Sequence, residues 1–520
     1  MSAGYSSVGR LLFPHAKSPA MSGLATRLAR LRAALTDPAR RDRTVLVLLA
    51  VYWVVWTAYG TMAKAPQGLH PDMTEVVAWS RDLSLGYLKH PPFAAWLAAG
   101  WFAVMPMAEW SYYALAMLMP VAALWIAWRL MGDYLDAEKR VAGLILLTLI
   151  PFFNFHALKY NVNTVLLPLW AATTLWFLRS YRARDHLDAA LAGAAAALSM
   201  YGKYWSVFLI AGLIVAALID RRRRTYFRSP APWITVAVGL IVLAPHLKWL
   251  VESHFAPFGY AMTIHGEKSL AIAAESAFGY VGGSFGYVAL PLLIVVAMAR
   301  RPALLAAAAW PHDDDRRLIA AAFWAPLLLP MLAALAGKTE ITSLWSMSAW
   351  TLLPVMLLSP PALQVRPVDA DRLFGLAIAL PLIMLVASPA IAWFTRDKAR
   401  PAEAQGKLLA QEVDRDWRNL TPEPLRFVGG EADLAYAVIT WSADRPRALT
   451  DMPLPPAAVL KRAGRVVVCF AEDSGCKSKA AALAAVTPGS RVIESTIMRA
   501  FFRSLGKPKG YTITLIRPAP

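Results

Sequence analysis

The chain has 520 residues, of which 58% are apolar, and its mean hydropathy is +0.44. These values exclude a soluble multidomain protein and predict a polytopic membrane protein. The net charge of +19 is carried by short basic clusters between apolar segments and not by one face. That distribution argues against a nucleic-acid partner and is typical of cytoplasmic loops of membrane proteins.

Residues 1–44 form a basic N-terminal segment without a long apolar core, so they are not a secretory signal peptide. Four leucines recur there at helical spacing with arginines between them: Leu24, Leu28, Leu31 and Leu35. This pattern predicts an amphipathic helix lying on the anionic cytoplasmic leaflet. A disordered tail is the alternative.

Eleven apolar segments between residues 45 and 395 are long enough, or nearly so, to cross a bilayer of about 30 Å. They lie near residues 45–62, 110–130, 141–158, 164–179, 187–202, 204–220, 232–251, 282–299, 318–337, 348–363 and 373–394. Eleven spans place the N-terminus and the arginine-rich loops inside and the C-terminus outside. Residues 91–107 are also apolar but begin with two prolines, and they are predicted to form an interfacial helix within an outer-face loop, residues 63–109.

This first loop (residues 63–109) gathers ionisable side chains that the rest of the apolar region lacks. Asp72 and Glu75 are three residues apart at the start of a predicted helix, so they share one face. A turn at Gly86 then precedes Lys89 and His90. The pattern indicates acids beside basic groups at a membrane surface, although a polar loop with a helix cap is the alternative.

Two further outward turns carry polar side chains. Residues 152–164 supply Lys159, Asn161 and Asn163, and the asparagines would either bind sugar hydroxyls or cap the next helix. Lys203, followed by Tyr204, lies alone between two apolar helices. A charge in that position is costly unless it snorkels or meets an anion, and contact with an anion is the favoured interpretation.

Three other polar groups receive minor roles. His265, in the turn after the seventh span, is predicted to form hydrogen bonds with substrate. Lys338, Glu340 and the nearby Trp345 are interpreted as a structural rim. Residues 313–315, three consecutive aspartates, are interpreted as solvated charge in a cytoplasmic loop.

Residues 396–520 differ in character, because charge and proline return and apolar runs become short. Residues 465–470, 490–493 and 511–516 are typical of strands, and the alanine-rich residues 477–486 are typical of a helix. This pattern predicts a small α/β domain on the periplasmic side. Its Cys469 and Cys476 are the only cysteines, and either a disulfide or two buried thiols is compatible with their spacing.

The first loop resembles that of bacterial family 39 glycosyltransferases, which are related to protein O-mannosyltransferases and lipid A aminoarabinose transferases. The resemblance is carried by Asp72, by Trp79-Ser80, by residues 85–87 and by residues 90–96 (HPPFAAW). That family usually opens the loop with Asp-Glu and has an aromatic residue where Glu75 stands. The departure leaves Asp72 as the matching carboxylate and the role of Glu75 open.

The resemblance implies a GT-C-like bundle of about eleven spans with a C-terminal α/β domain. It also implies that a lysine such as Lys203 binds the lipid phosphate, together with Lys89 or His90. In aminoarabinose transferases a first-loop carboxylate and a histidine in the His265 loop hold zinc, but Lys89 stands at the carboxylate position. A lysine cannot replace that ligand, so neither metal nor cofactor is predicted.

The predicted function is an inverting glycosyltransferase of the bacterial inner membrane. It would take a hexosyl or pentosyl unit from a polyprenyl-monophosphate donor and transfer it to a lipid, polysaccharide or protein of the cell envelope. Asp72 would be the general base, with Glu75 as the competing candidate. A transporter or lipid flippase, or a non-catalytic scaffold for the C-terminal domain, has similar hydropathy and is the alternative.

Overall fold

A computed structural model describes residues 19–266, 268–300 and 302–519. The mainly helical fold predicted from the sequence is confirmed. The helices before residue 400 are α1 Pro19–Thr36, α2 Arg41–Lys64, α3 Pro71–Ser80, α4 Phe93–Val104, α5 Glu109–Met131, α6 Ala137–Thr148, α7 Leu166–Ala183, α8 His186–Gly202, α9 Val207–Ile219, α10 Arg223–Phe227, α11 Ala231–Glu252, α12 Ala256–His265, α13 Leu270–Tyr287, α14 Ala289–Ala299, α15 Pro302–Ala309, α16 Asp314–Gly337, α17 Leu353–Leu358 and α18 Pro367–Thr395. Short 3₁₀ turns lie at Pro151–Phe153, Tyr204–Ser206, Ser343–Ser346 and Ala349–Leu352.

Five of these helices are long and apolar enough to cross a membrane, counted over the described residues: α2, α5, α11, α16 and α18. A sixth span is possible if α13 and α14, which meet at a bend of 59°, are taken as one. The remaining predicted spans correspond to shorter or more polar helices. The total of eleven therefore stays a prediction.

One predicted span is wrong in its extent. Residues 141–158 were expected to be one apolar helix, but α6 ends at Thr148 and a 3₁₀ turn begins at Pro151. Proline lacks an amide hydrogen and its ring clashes with the preceding helical turn, so Pro151 favours the end of the helix before it. The chain from residue 154 to 165 is consequently free to form a polar loop.

The short helix α4 agrees with the interpretation of residues 91–107 as something other than a span. It has 12 residues and is therefore about 18 Å long, against a hydrocarbon core of about 30 Å. It packs against α3 and α8. Its location at the membrane surface stays a prediction.

The N-terminal helix forms as α1, while residues 1–18 of the predicted segment lie outside the described residues. The leucine face of this helix was expected to lie on the lipid leaflet, but in the structure it contacts the protein. Leu35 is buried, and Leu28 and Leu31 pack against the same core as the membrane helices. Arg32 also forms a two-pronged ion pair with Glu138 at the start of α6. The helix is thus bound to the protein, because burying its leucines against the bundle satisfies the same apolar face.

The aspartates at residues 313–315 also differ from the prediction. Asp313 caps α16 by accepting a hydrogen bond from the Arg316 amide at 2.9 Å. Asp315 lies 2.5 Å from Arg222 and 3.7 Å from Arg182. Asp313 is thus a helix cap and Asp315 is ion-paired, since the fold brings Arg182 at the end of α7 and Arg222 before α10 to it.

The C-terminal region carries strands, as predicted. Its elements are α19 Pro401–Leu420, β1 Phe427–Gly430, α20 Ala432–Trp441, β2 Arg447–Ala448, α21 Ala457–Ala463, β3 Arg465–Phe470, α22 Ser474–Ala485, β4 Arg491–Ile497, β5 Ala500–Phe501, β6 Ser504–Leu505 and β7 Lys509–Ile516. The main sheet has the order β2-β1-β3-β7-β4, in which β1 is parallel to β2 and β3, and β7 is antiparallel to β3 and β4. β5 and β6 form a separate hairpin.

Alternation along β3 explains why helices cover both faces of this sheet. Val466 and Val468 point into a core with α19 and α20, whereas Val467 and Cys469 point toward α22. Successive strand residues face opposite sides, so one apolar run supplies both layers. Cys469 and Cys476 form a disulfide with Cα atoms 5.8 Å apart, which decides between the two alternatives left by the sequence.

The C-terminal region packs directly on the first loop. Helix α20 lies against α3, and Arg447 forms an ion pair with Asp82. Arg499 donates hydrogen bonds to the carbonyl oxygens of Ala65 and Pro66. These contacts hold α3 between the membrane helices and the C-terminal sheet, and thereby set the surroundings of its two carboxylates.

Candidate active site

Helix α3 presents Asp72 and Glu75, and its start is specified by local sequence. His70 is the N-cap, and its Nδ1 accepts a hydrogen bond from the Asp72 amide at 3.1 Å. Pro71 occupies the first helical position, where a missing amide hydrogen costs nothing. Asp72 therefore lies in the first turn, where the partial positive charge of the helix terminus favours a carboxylate.

Asp72 belongs to a group that we name the Asp72 cluster: His70, Asp72, Lys159 and Asn161. Lys159 Nζ lies 3.2 Å from one carboxylate oxygen, and Asn161 Nδ2 donates to that oxygen at 2.9 Å. His70 Nδ1 lies 3.3 Å from the other oxygen. Desolvation opposes ionisation, but these partners together hold the pKa of Asp72 well below its usual range. Asp72 is thus a carboxylate, and 41% of its side chain is exposed.

Asn161 shapes the turn before α7 and also contacts Asp72, and binding of sugar hydroxyls by the asparagines stays a prediction. Its Oδ1 accepts hydrogen bonds from the amides of Asn163 at 2.9 Å and Thr164 at 3.2 Å, which shapes the turn before α7. Its Nδ2 is thereby directed at Asp72. Asn161 does not cap α7, whose N-cap residue is Val165, but one side chain both holds the preceding turn and contacts the carboxylate.

Lys203 stands at the break between α8 and the following 3₁₀ turn. Its Nζ donates to Asn163 Oδ1 at 2.8 Å and lies 4.6 Å from the centre of the Trp345 ring. Among the described residues no carboxylate lies within 4 Å of it. Desolvation lowers the pKa of Lys203 to about 7. The ammonium is held by a neutral oxygen and an aromatic face, so an incoming anion would be its first charged partner.

Glu75 belongs to a second group, the Glu75 cluster: Glu75, Lys89, Tyr436 and Asp451. Lys89 Nζ lies 2.6 Å from Glu75 and 2.9 Å from Asp451, and the Tyr436 hydroxyl donates to Asp451 at 2.9 Å. Desolvation by burial raises the pKa of Glu75 to about 7, since the opposing effect of Lys89 does not cancel it and the charges of Asp72 and Asp451 add to it. Lys89 is thus already neutralised by two acids.

His90 lies between the two clusters. Its ring is 6.0 Å from Trp79 in an edge-to-face contact, and its carbonyl accepts a hydrogen bond from the Tyr87 amide at 2.9 Å. Desolvation and the neighbouring Lys203 charge lower the pKa of His90 to about 3. It is consequently a neutral imidazole that can donate or accept a hydrogen bond but supplies no positive charge.

Tyr204 is connected to the first loop through a buried histidine. His246 Nδ1 lies 2.6 Å from the Leu85 carbonyl oxygen, and its Nε2 lies 3.1 Å from the Tyr204 hydroxyl. A carbonyl only accepts, so Nδ1 carries the hydrogen and Tyr204 donates to Nε2. The first loop packs closely on α11 at this point. A side chain at Gly86 would overlap the ring of Trp249, which lies on α11 together with His246.

His265 approaches Lys203 through an aromatic side chain. The His265 ring lies 5.2 Å from Trp345 in an edge-to-face contact, and its carbonyl accepts from the Glu340 amide at 2.9 Å. Trp345, expected to be part of a structural rim, therefore lies under the Lys203 ammonium.

The described residues hold no group of three or more histidine, cysteine or acidic side chains arranged for a metal ion. The absence of a metal stays a prediction.

The structure thus brings Asp72, Lys159, Asn161, Asn163 and Lys203 into one chain of polar contacts. Sequence reasoning missed Asp451 and Tyr436, which lie more than 340 residues beyond Lys89, and no local pattern marks either. His246 was also missed as part of the site.

Comparison with known proteins supports the resemblance. Residues 89–249 match the model of the dolichyl-phosphate-mannose-protein mannosyltransferase family. The solved structure of ArnT from Cupriavidus metallidurans bound to undecaprenyl phosphate superposes with a TM-score of 0.57, covering 90% of this chain and 97% of ArnT at 14% identity. The chain therefore shares the GT-C fold of that structure. At this identity the superposition establishes the fold alone.

Two curated relatives come from Rhizobium johnstonii. The lipopolysaccharide core galacturonosyltransferase RgtB is 29% identical over 272 residues, which are 51% of this chain and 53% of RgtB. The lipopolysaccharide core galacturonosyltransferase RgtA is 26% identical over 345 residues, which are 62% of this chain and 66% of RgtA. The matches of this chain therefore span about half to two thirds of those relatives' length.

Proposed function

We propose that this GT-C protein is an inverting glycosyltransferase. It would transfer a sugar from a polyprenyl-monophosphate donor to a cell-envelope acceptor at the outer face of the bacterial inner membrane. One observation carries the proposal: the loop from Lys159 to Asn163 connects an exposed carboxylate, Asp72, to Lys203, whose side chain has no carboxylate within 4 Å among the described residues. In a glycosyl transfer, Asp72 is suited to activating the acceptor hydroxyl and Lys203 to stabilising the departing phosphate.

Asp72 is assigned to the acceptor. It is ionised, partly exposed and held in one orientation by Asn161 and Lys159. In an inverting transfer a carboxylate takes the proton of the attacking hydroxyl on the face opposite the leaving group. Its low pKa makes Asp72 a weak base, so much of its contribution would come from orienting that hydroxyl and stabilising the positive charge on the sugar.

Lys203 is assigned to the departing phosphate, because the described residues that contact its ammonium, Asn163 and Trp345, are both uncharged. A phosphate monoester gains negative charge as the glycosidic bond breaks, and a preorganised cation stabilises it. His90 and Tyr204 would add hydrogen bonds. Lys89, also predicted to bind the phosphate, is better suited to holding Glu75 and Asp451 in place, since both neutralise it.

The orientation in the membrane is supported by the two ends of α9. Lys203 precedes this helix, and Arg222 follows it, about 20 Å away along 13 residues. Arginines at that far end agree with the inner face, which places Lys203 and Asp72 outside. The disulfide between Cys469 and Cys476 supports an oxidising compartment for the C-terminal region.

The names of the relatives narrow the substrates to be tried first. RgtA and RgtB act on the lipopolysaccharide core, and RgtD of the same organism on lipid A, each with galacturonic acid. We propose an acceptor of this class and an acidic sugar on the donor. A uronic carboxylate would place a second anion near Lys159 or Lys203, the two lysines of the polar loop region.

The experiment uses membranes containing the full chain, incubated with a panel of undecaprenyl-phosphate sugars and lipopolysaccharide. Product should form with one donor and should fall sharply in membranes containing Asp72→Asn at equal protein level. If no donor yields product while labelled lipid crosses the bilayer faster than in control membranes, the protein is a transporter or flippase instead.

A further inference from the structure

A separate cavity lies where the last apolar helix meets the C-terminal region. It has a volume of about 290 Å³ and lies between the end of α18, the start of α19 and the β5–β6 hairpin. Pro66 of the first loop contributes to its wall. None of the residues of the Asp72 or Glu75 clusters lines it.

Four cations line this cavity: Arg396, Arg499, Lys507 and Lys509. The lining contains one carboxylate, Asp397, which lies 3.6 Å from Arg396. Lys509 pairs with Glu472 outside the cavity. The lining thus retains an excess of positive charge even after both pairs are counted.

The other two cations have no acidic partner within 4 Å among the described residues. Arg499 donates hydrogen bonds to the carbonyl oxygens of Ala65, Pro66 and Ala404, so its position is fixed but its charge remains. Lys507 is exposed and forms no ion pair there. A fixed guanidinium beside an unpaired ammonium at the edge of a cavity attracts an anion, and phosphate oxygens suit both donors.

The position of the cavity along the membrane normal indicates which kind of anion it would bind. Arg396 directly follows α18, one of the helices long and apolar enough to cross a membrane, so it lies where lipid headgroups begin. Exposed apolar side chains border the same segments. Phe394 is 75% exposed at the end of α18, and Phe502 and Leu505 of the hairpin are 80% and 68% exposed. Aromatic residues at such a level are typical of the membrane–water interface.

We propose that this cavity binds the phosphate group of a lipid in the outer leaflet, with the apolar hairpin lying against the lipid chains. The inference rests on the orientation given under the proposed function but needs no transfer activity. The lipid is either a bulk anionic phospholipid or a phosphorylated glycolipid acceptor. Either occupant would contact Pro66, six residues before Asp72, and would stabilise the start of the first loop.

The test measures lipid binding by the purified full chain in detergent, followed through the midpoint of thermal unfolding. Wild-type protein is titrated with dioctanoyl phosphatidic acid, dioctanoyl phosphatidylcholine, inorganic phosphate and a phosphorylated lipid A. Both phosphomonoester lipids should stabilise the protein more than phosphatidylcholine or inorganic phosphate does. The one that binds more tightly identifies the source of the phosphate.

The decisive variant is Arg396→Gln with Lys507→Gln. Its affinity for phosphatidic acid should fall roughly 20-fold, about fivefold for each cation removed. The matched control is Lys461→Gln with Arg462→Gln, which removes two exposed charges of the same region that do not line the cavity, and it should bind like wild type. If Arg396→Gln impairs folding, Lys507→Gln alone tests the same point.

Three results would overturn the proposal: equal loss of affinity in the variant and its control, equal stabilisation by phosphatidic acid and phosphatidylcholine, or stabilisation by inorganic phosphate alone. Asp72→Asn protein should bind lipid as wild type does. Failure of the proposed transferase activity would therefore leave this binding intact, and the two proposals are tested separately.

Discussion

Two carboxylates on one face of α3 lie in opposite surroundings. Asp72 is surrounded by groups that favour its charge, Lys159 and Asn161, both from the loop between α6 and α7. Glu75, three residues on, is more buried and shares the Lys89 ammonium with Asp451 of the C-terminal region. Two acidic residues on one helix face therefore differ in protonation because different elements pack around them. Asp72 stays ionised, whereas Glu75 titrates near neutral pH.

The largest expected effect is at Asp72. Asp72→Asn keeps the shape of the side chain and can still contact Asn161, but it cannot take a proton, and turnover should fall roughly 10²- to 10⁴-fold. Transfer rates in membranes of equal protein content are the measurement. Glu75→Gln is the matched variant one turn away and should cost less. If Glu75→Gln proves the more damaging, Glu75 is the base and the assignment of the two clusters is reversed.

Lys203 should show the next largest effect. Lys203→Met removes the charge that faces the phosphate, so kcat/KM for a lipid-phosphate donor should fall about 10- to 100-fold, the range for a hydrogen bond to a charged group. Steady-state kinetics with a synthetic donor gives the value. Lys248→Met, at an exposed lysine of α11, should be silent. Unchanged kinetics in Lys203→Met would assign Lys203 to simple snorkelling.

A smaller effect is expected at Asp451, because it acts through Lys89. Asp451→Asn should lower turnover roughly tenfold by letting the Lys89 side chain move, which shifts the groups beside it. It should also lower the pKa of Glu75, since Lys89 then has one acid to neutralise, and this should move the pH profile to lower pH. Asp433→Asn on helix α20 is the control. A loss of turnover without any change in the pH profile would indicate a merely structural role.

The smallest effect concerns stability. The raised pKa of Glu75 means that the folded state binds more protons than the unfolded state between about pH 4.5 and 7. The contribution of this proton binding to the free energy of unfolding is fully present below that pH range and is lost as pH rises through it. Glutamine does not titrate, so the Glu75→Gln variant does not lose this stability as pH rises. The melting temperature of the variant minus that of wild type should therefore be a few degrees higher at pH 8 than at pH 5. A difference that is constant with pH would mean that Glu75 is not perturbed.

How much of the site followed from sequence depends on the range of the interactions. The start of α3, with Asp72 and Glu75 on one face, follows from His70, Pro71 and helical spacing, all of which are local. The polar character of residues 154–165 was also visible, although the helix before it was predicted to be too long. The contact of Asn161 with Asp72 joins residues 89 positions apart. No spacing rule reaches that far.

By itself the sequence determined the mainly helical membrane-type fold, the C-terminal strands, the family resemblance and most of the ionisable residues of the site. Apolar runs, strand alternation and short motifs are properties of neighbouring residues, so they can be recognised without a structure. Tertiary structure alone decided that Lys89 is neutralised by Glu75 and Asp451. It also decided that Lys203 has no acidic partner within 4 Å among the described residues, and that Asp314 and Asp315 are ion-paired. The charge state and availability of a side chain depend on whatever packs around it, and in this chain those partners come from distant segments.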